Sequence, residues 1–138
     1  MSNRILGPLA AAVLFLAPGA WAQAAASAKE PVSDGRTLSE WVADLKAQAP
    51  QTRNAAAYEI SGMGPAAAAA VPALIEALDD SEATVRFPVT VALGEIGPAA
   101  KAAVPKLKKM MDEEINDEIA AAAKRALRRI QPEAVKTE

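Results

Sequence analysis

Cysteine and histidine are both missing from this 138-residue sequence. The first absence excludes disulfides, thiol nucleophiles, thiolate zinc sites and a lipid-modified N-terminal cysteine. The second excludes imidazole bases and ligands. Aromatic residues are scarce, at two Trp, two Phe and one Tyr. Yet 51% of the residues are hydrophobic, and much of that share is Ala, the strongest helix former, whereas strands favour β-branched and aromatic residues. The composition therefore points to helices packed closely through small side chains. A formal net charge of −2 is too small to demand a polyanionic or polycationic partner.

Residues 1–22 have the three parts of a secretory signal. Arg4 gives a positive start, residues 5–17 are apolar apart from Gly7 and Pro8, and Pro18-Gly19 breaks the run. Ala20-Trp21-Ala22 then places small residues where a signal peptidase reads, with cleavage expected after Ala22 and Ala24 as the second choice. An uncut membrane anchor is the alternative, but the run falls short of the roughly 20 residues that span a bilayer. The mature chain is thus expected to be exported, periplasmic or secreted, and to meet the membrane only transiently. Residues 23–36, with Ala, Ser, charge and a Pro but no apolar period, read as a flexible linker. A helical domain is expected over residues 37–132 and a disordered tail over 133–138.

Within that domain the sequence repeats. Gly64, Pro65, Val71, Pro72, Leu74 and Leu78 recur 33 positions later as Gly97, Pro98, Val104, Pro105, Leu107 and Met111. A partial third copy follows at an offset of 34, where Ile119, Ala126, Leu127, Ile130 and Pro132 fall on Val85, Ala92, Leu93, Ile96 and Pro98. Each unit reads as two helices, A and B. Val85, Val89, Leu93 and Ile96 form the apolar stripe of an A helix, which Gly97 ends and Pro98 prevents from continuing. Val71, Leu74, Ile75 and Leu78 form the stripe of a B helix, with Pro72 in its first turn, where a missing N–H is harmless. Thr37 and Glu40 have the spacing of a capping box, and Leu38, Trp41, Val42 and Leu45 continue it as a B-type stripe. The array runs B, A–B, A–B, A.

This pattern resembles the short HEAT-like repeats first described in phycobilisome lyases, at Leu78, Asp80, Val85, Arg86, Ala92, Leu93, Gly94, Ile96, Gly97, Pro98, Val104, Pro105 and Leu107. The resemblance implies an all-α fold, a short right-handed αα-solenoid of about five helices. It also implies an ion pair between Arg86 and Asp80 near the inter-helix turn, which leaves Arg53 without an equivalent Asp, since Ala47 stands there. Pro88 falls inside an A helix expected from about Glu82 to Glu95, where a proline costs about 3 kcal/mol. An early start with a kink at Pro88 is expected, and Pro88→Ala is expected to stabilise.

Chemistry is poorly provided for. The acids at 112–114 and 117–118 lack the spacing and the glycine of a calcium loop, and Asn116 reads as a helix cap beside them. Some helical-repeat relatives are di-iron hydroxylases, but their chemistry needs histidine ligands. No serine has a plausible base, and no bilin-lyase site is matched. No cofactor and no metal are expected. The basic residues of the C-terminal half, Lys101, Lys106, Lys108, Lys109, Lys124, Arg125, Arg128 and Arg129, lack interleaved aromatics, which disfavours nucleic acid. Stacked helix pairs curve, and their B helices line a concave face suited to a peptide or protein. The expectation is a non-enzymatic scaffold whose partner contacts come from Ala73, Glu76, Ala77, Lys106, Lys109 and Met110. Rival readings are an accessory or regulatory subunit of an enzyme, lyase-like or other, and a structural module of an envelope assembly. Expressed in a secreting host, the chain should lose residues 1–22, so that mass spectrometry finds Gln23 at its N-terminus. Intact Met1 in the membrane fraction would establish the anchor instead.

Overall fold

The computed structural model describes residues 29–136, so the leader lies outside the described residues. Among them, six α-helices follow a two-stranded hairpin: α1 (Leu38–Asp44), α2 (Pro50–Met63), α3 (Val71–Ala77), α4 (Ala83–Ile96), α5 (Val104–Glu113) and α6 (Asp117–Ile130). They alternate B and A in the order that the repeats imply. The A helices α2, α4 and α6 pack side by side, and the B helices α3 and α5 pack against them. The result is an all-α, HEAT-like solenoid.

Helix ends follow local chemistry. At α1, the Thr37 hydroxyl accepts the Glu40 N–H while the Glu40 carboxylate accepts the Thr37 N–H at 2.8 Å, the expected capping box. At α6, the Asn116 side chain accepts the N–H groups of Glu118 and Ile119 at 3.0 and 3.2 Å. Gly64 and Gly97 end α2 and α4 with φ of +55° and +77°, a region that excludes most side chains. Each opens a 3-10 segment, Gly64–Ala70 and Gly97–Ala103, that leads into a B helix with proline in its first turn. The run Pro50–Ala77 is long and apolar enough to cross a membrane, but Gly64 and the non-helical Ala67 divide it into α2 and α3.

The core is aliphatic and small. Ile60, Leu74, Leu93, Ile96, Leu107 and Leu127 are fully buried, and eight alanines, among them Ala56, Ala92 and Ala123, show no exposed surface. Gly94 marks a close approach of α4 to α6: a Cβ there would stand 3.0 Å from the Ala126 Cα.

Two boundaries depart from expectation. The described part of the expected linker is folded. Strands β1 (Val32–Ser33) and β2 (Arg36–Thr37) pair antiparallel around Asp34 and Gly35, whose φ values of +49° and +73° match the two-residue turn that suits a twisted hairpin. Trp41 Nε1 donates to the Ser33 carbonyl at 3.0 Å, and Ser33 Oγ donates to Glu59 at 2.6 Å, tying the hairpin to α1 and α2. Arg36 lies 4.0 Å over the Trp41 ring and pairs with Asp44 at 2.7 Å. At the other end, the expected tail forms a 3-10 turn, Pro132–Val135, with Ala134 buried against α6. Both ends of the apolar core are thereby closed.

Helix α4 runs unbroken through Pro88, whose ring is buried. Proline cannot donate to the Thr84 carbonyl, and Asn54 of α2 does so instead, from Nδ2 at 2.5 Å. The lost bond is replaced from the neighbouring repeat, which reduces the gain expected from Pro88→Ala. Asn54→Ala should cost on the order of 1 kcal/mol in thermal denaturation. It should cost less in a Pro88→Ala background, where the introduced alanine supplies its own N–H. Equal penalties in the two backgrounds would show that Asn54 does not serve that carbonyl.

Candidate functional site

Two arginines at equivalent repeat positions organise the turns. Arg53 binds Asp80 through Nε and Nη2 at 2.6 and 3.0 Å, and its Nη1 donates to the carbonyls of Ala47 and Gln48 at 2.9 and 2.8 Å. Arg86 repeats the arrangement one unit on. It binds Glu114 through Nε and Nη2, both at 3.0 Å, and donates from Nη1 to the carbonyls of Asp80 and Ser81 at 2.9 and 3.1 Å. Each guanidinium therefore holds the turn before its own helix and the turn two helices later.

This corrects the expected pairing. Arg86 takes only the backbone carbonyl of Asp80, and Arg53 has the carboxylate partner that it was expected to lack. Asp80 Oδ1 accepts the Glu82 N–H at 3.0 Å, which fixes the carboxylate in the turn and directs it to the preceding A helix. Glu82, in extended conformation, is the N-cap residue of α4. Glu114 likewise accepts the Asn116 N–H at 3.2 Å. The signal lay in the 34-residue offset, which sets Glu114 under Asp80.

The residues expected to bind a partner separate into two groups. Lys106, Lys109 and Met110 share a groove between α3 and α5 with Leu78, Asp79 and Glu113. Lys106 Nζ pairs with Asp79 and donates to the Ile75 carbonyl at 3.1 Å, where a cation meets the negative C-terminal end of α3. Lys109 is exposed, 3.8 Å from Glu113, and Met110 is half-buried. Ala73, Glu76 and Ala77 do not line this groove. Glu76 is solvent-facing and 3.3 Å from Lys46 in the turn after α1, while Ala73 and Ala77 pack partly against the core. The groove holds a mixed rim of cations and carboxylates over apolar Leu78 and Met110. Among the described residues, no group of acidic side chains is placed to hold a metal ion.

Alternating helices, stacked in register and joined by arginine-bound turns, define an αα-solenoid of short repeats. The HEAT repeats family model matches residues 38–128, and the chain belongs to that family. No curated protein matches the chain. HEAT repeats generally mediate protein–protein interaction, and proteins built from them are generally non-enzymatic scaffolds.

Hydrogen bonds from Arg53 and Arg86 hold the carboxyls of Asp80 and Glu114 below their ordinary range, against the opposing effect of burial. Bonds from Ser39 and Thr37 do the same for Glu30 and Glu40. A carboxyl more acidic in the folded state adds stability that is present above its unfolded pKa and lost as pH falls through the folded one. Melting temperature should thus stay level from neutral pH to about 5 and fall below about 4. Asp80→Asn with Glu114→Gln should lower it at neutral pH and flatten the acid decline. An unchanged acid limb would mean that these turns do not link folding to protonation.

Proposed function

We propose that the chain is an exported scaffold or adaptor that takes a peptide or protein segment along its B-helix face. The groove between α3 and α5 carries this reading. It offers half-buried Met110, over buried Leu78, as an apolar contact beside Lys109, a cation held among the described residues by one long intrahelical pair. Interfaces of this kind draw their energy from a few desolvated anchors, and methionine adapts to varied partners. The chemistry supports binding over turnover, because lysine, methionine and paired carboxylates here serve packing and helix ends. Export rests on the leader-like residues 1–22.

Lys106 is a staple between α3 and α5 on this reading, and Lys109 and Met110 are the contact residues. A photo-crosslinking side chain at Lys109 or Met110, introduced in the native cells, should give a recurrent adduct with one protein. The same group at Tyr58, exposed on an A helix, should not give that adduct. Equal labelling from all three positions, or none from Lys109 and Met110, would overturn the B-face assignment.

A further inference from the structure

The turn before α6 carries a side chain that the fold does not use. Ile115 is 96% exposed. In the equivalent turn before α4, whose Asp80 is bound by Arg53 as Glu114 is by Arg86, Ser81 stands at that place, so a large apolar residue is not needed there. Around Ile115 stand Asp112, Glu113, Asp117 and Glu118, all exposed. Of these only Glu113 lies in an ion pair among the described residues, the 3.8 Å contact with Lys109.

A surface of opposite character lies further along α6. Val91 and Gly94 of α4 and Ala122 and Ala126 of α6 floor a shallow groove on the A-helix side, and Arg125, Arg128 and Arg129 line it. Arg129 is held by Glu95 at 2.7 and 3.0 Å. Arg125 and Arg128 are exposed and form no ion pair among the described residues. The groove is shallow because Gly94 lets α4 and α6 pack closely and the residues of α6 that floor it are alanines. It matches the turn in both respects, with an apolar floor for one aliphatic side chain and cations for flanking carboxylates.

We propose that the Ile115 turn of one copy seats in the arginine-lined groove of a second copy. The turn leads directly into α6, and the groove is met on that helix at Ala122, roughly 8 Å along it from Asp117. Two copies with their α6 helices antiparallel about a two-fold axis exchange turns reciprocally. Each then both gives and receives Ile115, in a closed isologous contact rather than a filament. Two small contacts of this sort make a weak, salt-sensitive dimer. This association shares only Glu113 with the B-helix groove, and its test is separate from that of the scaffold reading.

Sedimentation equilibrium of the chain, in the form that a secreting host releases, tests this from low micromolar to near-millimolar concentration. The expected result is a monomer–dimer equilibrium that weakens as salt is raised. Ile115→Ser, which copies the turn at Ser81, and Arg125→Glu with Arg128→Glu should each weaken it by about tenfold or more. Because these positions are exposed, far-UV circular dichroism should stay unchanged. Monomer at every concentration would overturn the proposal. So would a dimer that survives both variants with helicity intact.

Discussion

The A helices approach one another as closely as their smallest side chains permit, and the rest of the molecule is arranged around that contact. Gly94 lies against Ala126, and alanine takes buried positions in all three A helices, Ala56 and Ala57 of α2, Ala92 of α4, and Ala122, Ala123 and Ala126 of α6. Close axes leave little room for large side chains between helices, which is why the chain manages with so few aromatics. They also bring one helix's polar side chains within reach of the next helix's backbone. Asn54 can repair the Thr84 carbonyl, and Arg53 can span to Asp80, because the spacing is short. A core of leucine and phenylalanine throughout would push these groups apart.

Repeat architecture was plainly legible in the sequence. Gly-Pro and Val-Pro recurring at 33 residues, with stripes at three- and four-residue spacing, located every helix from Leu38 to Ile130. Those signals are local, set by turn chemistry and by which side of a helix meets the core. What escaped was non-local. Asp80 was matched to Arg86 because both lie in one repeat, yet its carboxylate serves the repeat before. Asn54 gave no hint that a proline 34 positions on had orphaned a carbonyl beside it. The hairpin is a different case: Asp34-Gly35 is a strong turn signal, and the polar, Ala-rich surroundings obscured it.

The candidate contact residues show how far a pattern carries. Knowing which helix positions fall outside the apolar stripe selected Lys106, Lys109 and Met110, which do share a groove. It could not distinguish Ala73 and Ala77, drawn partly into the core, or Lys106, engaged by the end of α3. Stripe membership is set within one helix, whereas exposure depends on the neighbour. Ile115 stood outside every periodic stripe, in a turn, and so gave no periodic signal at all.

Closure at both ends has a consequence for how such a molecule changes length. The hairpin covers α1 and α2 and the Pro132–Val135 turn covers α6, so among the described residues neither end offers a bare face on which another repeat would stack. Growth is restricted to the interior. There the joints are alike: the turn before α4 presents the Asp80 carboxylate backward to Arg53 and two carbonyls forward to Arg86, and the turn before α6 presents Glu114 backward to Arg86. A duplicated unit of 33 residues, spliced between one such turn and the next, would meet compatible bonding groups on both sides. The array is a chain with fixed terminals and standard couplings, extensible at any link except the last.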